Sequence, residues 1–163
     1  MIPPGDGLIR IDGSQGLQDL LGRRLVCPCR LTLTQDRIEQ FARASDDFQW
    51  IHVDPERAAK ESPFRSTIAH GFLSLSLLTW FLERTVSFDG TKFGLNYGLD
   101  RVRFIRPAPA GAELAGRFEL VKLEPHPWGA QLHWDAAVTD QADAAGGWTR
   151  PIMAARWLTR VYA

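Results

Sequence analysis

A carboxylate and an imidazole five residues apart, Asp47 and His52, stand in the stretch Ala44-Ser45-Asp46-Asp47-Phe48-Gln49-Trp50-Ile51-His52-Val53-Asp54-Pro55. The residues between them read as a helix end and a turn, so the two side chains can converge on one point. There a carboxylate, which accepts protons, and a neutral imidazole, which accepts or donates one, can hold and polarise a single water. The bland alternative is that Asp47 caps a neighbouring turn and His52 is a satisfied, half-buried histidine. A second element, Ser66-Thr67-Ile68-Ala69-His70-Gly71, immediately precedes a long apolar segment. At a helix start Gly71 would present N–H groups without intrahelical partners, at the end of the dipole that favours negative charge. Lacking a side chain, it lets a ligand reach the main chain. This is the physics of an oxyanion hole; equally, glycine there merely eases a tight turn into the helix. His70 reads as structural, because the Gly71 amide already supplies the donor such chemistry needs.

The elements that must position these groups follow from hydrophobic period. Thr34 suits an N-cap, with Asp36 in the first turn and Ile38, Phe41 and Ala42 at helical spacing, and that helix should end near Ser45-Asp46-Asp47. A short extended piece is expected over Trp50 to Val53, then a small helix opened by Asp54-Pro55-Glu56 with proline in its first turn. From His70 to about Thr85, Phe72, Leu73, Leu75, Leu77, Leu78, Trp80, Phe81 and Leu82 cover most azimuths, which predicts a buried helix about 24 Å long at ~1.5 Å per residue. Downstream the period changes to two. Leu114, Phe118 and Leu120 oppose Glu113, Arg117 and Glu119; Trp128, Ala130, Leu132, Trp134, Ala136 and Val138 oppose Gln131, His133 and Asp135; Met153, Ala155, Trp157 and Val161 oppose Arg156 and Arg160. Such alternation predicts antiparallel strands with one buried face, turning at Glu124 to Pro127 and at Gln141 to Gly147. One buried helix wrapped by an antiparallel sheet is an α+β hot-dog fold, expected as a single domain over residues 1–163.

Composition narrows the function. The chain has 163 residues, with 19 basic and 19 acidic side chains, so its formal net charge is zero and no nucleic-acid partner is expected. At 45% hydrophobic and 23% charged it is globular rather than disordered. No apolar run approaches the ~18 residues that would span a bilayer, and the amino terminus lacks the basic and apolar regions of a signal peptide. Cys27 and Cys29 flank a proline in a spacing that suits neither a redox pair nor a zinc site, and are expected as free thiols on a strand of a cytoplasmic protein. His52-Val53-Asp54 lacks a third ligand nearby, so no metal site is expected.

Taken together, the Asp47/His52 segment, Asp54-Pro55 and Ile68-Ala69-His70-Gly71-Phe72 opening a long apolar helix resemble the MaoC-like (R)-specific enoyl-CoA hydratases. Gln49-Trp50-Ile51-His52-Val53-Asp54-Pro55-Glu56-Arg57-Ala58-Ala59, Pro63-Phe64, Asn96 to Phe104 and Pro107-Ala108-Pro109-Ala110-Gly111 are similar to the nodulation-protein-N branch of that family. The resemblance covers about residues 40–111. It implies a homodimer acting on trans-2-enoyl thioesters of coenzyme A or an acyl carrier protein, with no cofactor and no metal. Residue by residue, it implies Asp47 and His52 as the catalytic dyad, the Gly71 amide as receiver of the thioester oxygen, and Thr79 as the helix hydroxyl supporting the aspartate. Gln49-Trp50 replaces the usual Asn-Pro, and Asp46 adds a carboxylate where a small residue is usual. Activity should fall as His52 takes up a proton in acid.

Other polar groups carry less. Arg101, Arg103 and Arg106 fit coenzyme A phosphates or, equally, a charged strand edge. Asn96 and Tyr97 would line the acyl tunnel or bond across a dimer, and His126 between prolines should sit in an exposed turn. Two rival functions remain: a hot-dog acyl-CoA thioesterase, whose carboxylate on the buried helix would have to be Glu83, and a non-catalytic acyl-thioester-binding protein.

Overall fold

A computed structural model of the chain describes residues 7–140 and 151–163; the turn expected at Gln141 to Gly147 lies outside them. The chain opens with β1 (Ile9–Asp12), α1 (Gly13–Leu20), β2 (Arg24–Val26) and β3 (Leu31–Thr32). Next come α2 (Gln35–Ser45), α3 (Trp50–Val53), α4 (Pro55–Glu61) and α5 (Gly71–Leu82). The rest is strand: β4 (Val86–Asp89), β5 (Phe93–Phe104), β6 (Glu113–His126), β7 (Gly129–Asp140) and β8 (Pro151–Tyr162). The main sheet has the order β2-β6-β7-β8-β5, with β3 also pairing β6, and its pairings are antiparallel. A separate parallel pair joins β1 to β4.

This is the expected α+β hot-dog arrangement. Leu73, Leu77, Leu78 and Phe81 of α5 are buried in one core with Leu114, Phe118, Trp134, Val138 and Met153 of the sheet. Close contact depends on Gly116 of β6, where an added Cβ would lie 2.3 Å from the Phe81 Cβ. Among the described residues no helix is long and apolar enough to cross a membrane.

The helices before α5 follow local chemistry. Thr34 caps α2 by accepting from the Arg37 N–H, and Asp46 ends it in the left-handed region at φ 57°. Asp54 caps α4 the same way through the Arg57 N–H, with proline in the first turn. The expected extended piece over Trp50 to Val53 is instead a helical turn, closed by His52 N–H to Gln49 O at 2.9 Å and Asp54 N–H to Trp50 O at 3.0 Å. The Asp47 Oδ1 contact to the Gln49 N–H before it and the Asp54 cap after it leave room only for a turn.

Other departures have similar local causes. Helix α5 covers 12 residues, about 18 Å at ~1.5 Å per residue, because Arg84 and Thr85 donate to Phe81 and Leu82 in a tight turn that leads into β4. Its outer stripe, Phe72, Leu75, Ser76 and Thr79, is not buried. Arg117, expected in solvent, is buried, with its Nε donating to Thr139 Oγ1; a hydrogen-bonded partner makes such burial tolerable. His133 is half-buried against Glu124, at 3.0 Å. Its contact and that of Lys122 hold the Glu124 carboxyl at about 2, with Lys122 the larger influence. Strand β6 runs on through His126, and Pro127-Trp128 make the reversal. A ring stack across the strand ends, His126–Trp128–Tyr162–Phe93 with centroids 4.6, 4.8 and 4.6 Å apart, fixes that hairpin. Cys27 and Cys29 are free but lie just beyond β2 rather than on it.

Candidate active site

Helix α2 ends at Asp46, and the chain doubles back so that Asp47 faces the turn bearing His52 and the residues entering α5. Asp47 Oδ1 accepts the Gln49 N–H at 3.3 Å, which bends the backbone into the α3 turn. His52 is buried, and its Nδ1 lies 2.7 Å from the Ile68 carbonyl oxygen. A carbonyl oxygen only accepts, so Nδ1 carries the hydrogen and Nε2 of the neutral ring keeps its lone pair. His70 stacks on His52 with centroids 3.8 Å apart and planes at 27°. Its Nε2 lies 2.9 Å from the Asp47 carbonyl oxygen and 4.0 Å from Asp47 Oδ2.

Asp47, His52 and His70 each offer an atom within 4.8 Å of the other two. Two rings stacked face to face aim their in-plane lone pairs side by side rather than at one centre, and two of their four nitrogens already donate to carbonyls. The donor set therefore suits proton traffic better than a shared cation. The carboxylate is half-exposed while the imidazole is buried. Burial pushes the His52 ring below the usual histidine range, with its Ile68 contact opposing, His70 adding to the fall and Asp47 again opposing. The ring is therefore neutral, and able to accept a proton, near neutral pH.

Gly71 is the first residue of α5, after His70 as N-cap, and no side chain caps the helix. Its N–H donates to no backbone carbonyl among the described residues. Gly71 and His52 line one cavity of about 280 Å³, together with Ser74, Phe104, Arg106 and Ile152. The Phe104 ring rests on the glycine so closely that a Cβ at 71 would lie 2.8 Å from it. A side chain here would have to displace the cavity wall.

Several expected residues fall elsewhere. Thr79, expected to support Asp47, lies eight residues beyond Gly71, about 12 Å along the helix at ~1.5 Å per residue. It takes a long 3.5 Å contact from Asn96 Nδ2, and both line a different cavity with Trp157. The helix hydroxyl that reaches the His52 cavity is Ser74, one turn after Gly71; the i, i+3 spacing carried that signal. Arg106 lines the cavity but is tied to Asp140 at 3.0 Å. Arg101 and Arg103 line a separate cavity of about 470 Å³ with Arg156 and Asp135, and Ile105 borders both. Cys27 is buried, which pushes its thiol up and away from the reactive thiolate.

Comparison with known proteins fits this geometry. The family model described as MaoC like domain matches residues 17–142. The chain belongs to the MaoC-like family. Nodulation protein N of Rhizobium leguminosarum bv. viciae is 43% identical over 135 residues, covering 79% of this chain and 78% of that protein. The 3-hydroxyacyl-thioester dehydratase Z of Mycobacterium tuberculosis is 47% identical over 94 residues, 58% of this chain and 62% of its own length. Among solved structures, the R-hydratase PhaJ1 of Pseudomonas aeruginosa superposes with a TM-score of 0.68 at 21% identity, covering 87% of this chain and 81% of that one. Membership of the MaoC-like family, with a dehydratase among the relatives, puts the chain among hydratase/dehydratase enzymes.

Proposed function

We propose that the protein adds water to trans-2-enoyl thioesters of coenzyme A to give (R)-3-hydroxyacyl thioesters, or removes it in the reverse direction. The observation that carries this reading is the approach of the Asp47 carboxylate to the His52 imidazole within 4.8 Å, with His52 and Gly71 lining one cavity. A gap of that length is bridged by one water hydrogen-bonded to both groups. His52 Nε2 and Asp47 draw a proton from this water as its oxygen attacks C3, and a proton returns to C2. The electron density passes to the thioester oxygen, which the Gly71 N–H stabilises at the positive end of α5. No covalent intermediate forms. The thioesterase reading has less support, because Glu83 is exposed and lines another cavity, at the far end of α5.

The test is direct. Purified protein mixed with short and medium enoyl-CoA substrates should remove the conjugated absorbance and yield the (R)-3-hydroxy product. Release of free thiol without hydration would favour the thioesterase instead, and a parallel series on acyl carrier protein identifies the carrier.

The proposal extends to a homodimer. Strand β5 is a 12-residue edge whose Phe93, Leu95, Tyr97 and Leu99 are exposed beside the open stripe of α5. Long apolar edges invite pairing, and patches of this kind mark interaction surfaces. Sedimentation equilibrium should give twice the chain mass. The free thiols of Cys27 and Cys29 fit a reducing compartment such as the cytoplasm.

For the coenzyme A phosphates, Arg101 and Arg103 are the better candidates, across Ile105 from the reacting end, since Arg106 is engaged by Asp140. Replacing both Arg101 and Arg103 by Ala should raise KM for the enoyl-CoA about tenfold, each exposed contact contributing about 0.7 kcal/mol. With a pantetheine thioester, which lacks those phosphates, KM should not change. Equal effects on both substrates would assign the pair to the strand edge.

A further inference from the structure

The dyad and the helix amide are joined by a residue that takes no part in the hydration chemistry itself. His70 is 4% exposed. Its Nε2 must carry hydrogen to bond the Asp47 carbonyl at 2.9 Å, whereas His52 carries hydrogen on Nδ1 for the Ile68 carbonyl at 2.7 Å. The two stacked rings are thus held in opposite tautomers. Nδ1 of His70 is left as a buried acceptor with no hydrogen-bond partner among the described residues. A residue that only filled space would do better as an apolar side chain, because a buried unpaired acceptor is a standing cost. What the imidazole offers instead is reach. Its N–H holds the Asp47 main chain, its face backs the His52 ring, and its own carbonyl precedes the Gly71 amide and accepts the Ser74 N–H at 3.3 Å.

We propose that His70 is a positioning residue of the site, clamping the Asp47 backbone against the face of His52 so that the carboxylate and the His52 ring keep a one-water separation. The proposal rests on the hydratase reading for its kinetic consequence, but not for its structural one. Asp47 is the half-exposed member of the dyad, just past the end of α2, and among the described residues its own side chain accepts a hydrogen bond only from the Gln49 N–H. Without the clamp its carboxylate would move with the loop. Displacements of about 1 Å are enough to lose about 10²-fold in rate.

Two substitutions separate the hydrogen bond from the stack. His70→Phe keeps an aromatic face against His52 but has no N–H, while His70→Gln places an amide N–H near the position of Nε2 and gives up the ring. His70→Phe should lower kcat about 10²-fold with KM changed less than about threefold, and His70→Gln should recover most of that loss. A His70→Phe loss below about tenfold, or a His70→Gln variant no better than His70→Phe, overturns the clamp. Imidazole ¹⁵N shifts of the wild-type protein decide the structural claim whatever the activity and whether or not the variants fold. They should give His70 as the Nε2–H tautomer and His52 as the Nδ1–H tautomer, and His70 as Nδ1–H refutes the proposal. Absence of enoyl hydration with the expected tautomers would instead count against the function while leaving the clamp standing.

Discussion

Replacing Asp47 by Asn or His52 by Gln is expected to lower kcat for enoyl-CoA hydration by about 10²–10⁴, the range general acid–base assistance supplies, with the fold kept. In Asp47→Asn the amide oxygen can still accept the Gln49 N–H, so the turn survives while the proton acceptor is lost. The pH profile gives a second readout. Below the usual histidine range, where His52 becomes charged, wild-type kcat/KM should fall, because a protonated Nε2 cannot accept from water. Burial sets that acid limb low, while the Asp47 charge works to raise it. Residual activity of Asp47→Asn should therefore have its acid limb at lower pH still, and His52→Gln should have no such limb. Near-normal turnover by either variant would remove that residue from the chemistry.

Gly116→Ala should cost the fold more than a methyl at Gly71, whose Cβ would meet only a ring at 2.8 Å. The new Cβ would lie 2.3 Å from the Phe81 Cβ and 2.6 Å from its Cγ. Those atoms sit close to the α5 backbone and cannot swing aside as the end of a flexible side chain can. Helix α5 would have to lift from β6, opening the core around Phe118 and Trp134. Overpacking of this kind costs about 3 kcal/mol, or a Tm lower by roughly 6–12 °C for a chain of this size. Because α5 also carries Gly71, activity should fall with stability. An unchanged melting curve would mean that the helix does not ride on this strand.

Much of this arrangement could be read from residue order. The α2 and α4 caps, Thr34 and Asp54, are local events, and their side-chain signals are unambiguous. The strands β6 to β8 follow their alternation because one face of each is buried. Where long-range contacts decide, the pattern misled. Arg117 looks solvent-facing by period but is buried, and the His126 region looks like a turn until the rings of Trp128, Tyr162 and Phe93 stack across it. The parallel β1–β4 pair joins segments more than 70 residues apart and left no local mark. In the site, the approach of Asp47 to His52 and of His52 to Gly71 was legible because a helix end followed by a turn brings such neighbours together, while their spacing equally fitted the turn cap and the satisfied histidine that the structure also shows. The ring stack of His70 on His52 was not, because it depends on which way a side chain faces, and Ser74 was overlooked although its i, i+3 spacing from Gly71 brings it to the same cavity. Thr79, expected beside Asp47, lines a different cavity with Asn96 and Trp157.

Every group assigned to bond making comes from one excursion of the chain, Asp47 through Gly71, whereas much of the remaining cavity lining, Phe104 to Ala108 with Ile152, belongs to the end of β5, the loop after it and the start of β8. Backbone hydrogen bonds, Ala69 N–H to the Ala108 oxygen at 2.8 Å and Ala110 N–H to the Thr67 oxygen at 2.9 Å, hold the two in place while most of their side chains can vary separately. Substitutions on the wall can change which acyl groups are admitted while leaving the reaction intact, so relatives with one chemistry and unlike diets can arise without passing through an inactive ancestor.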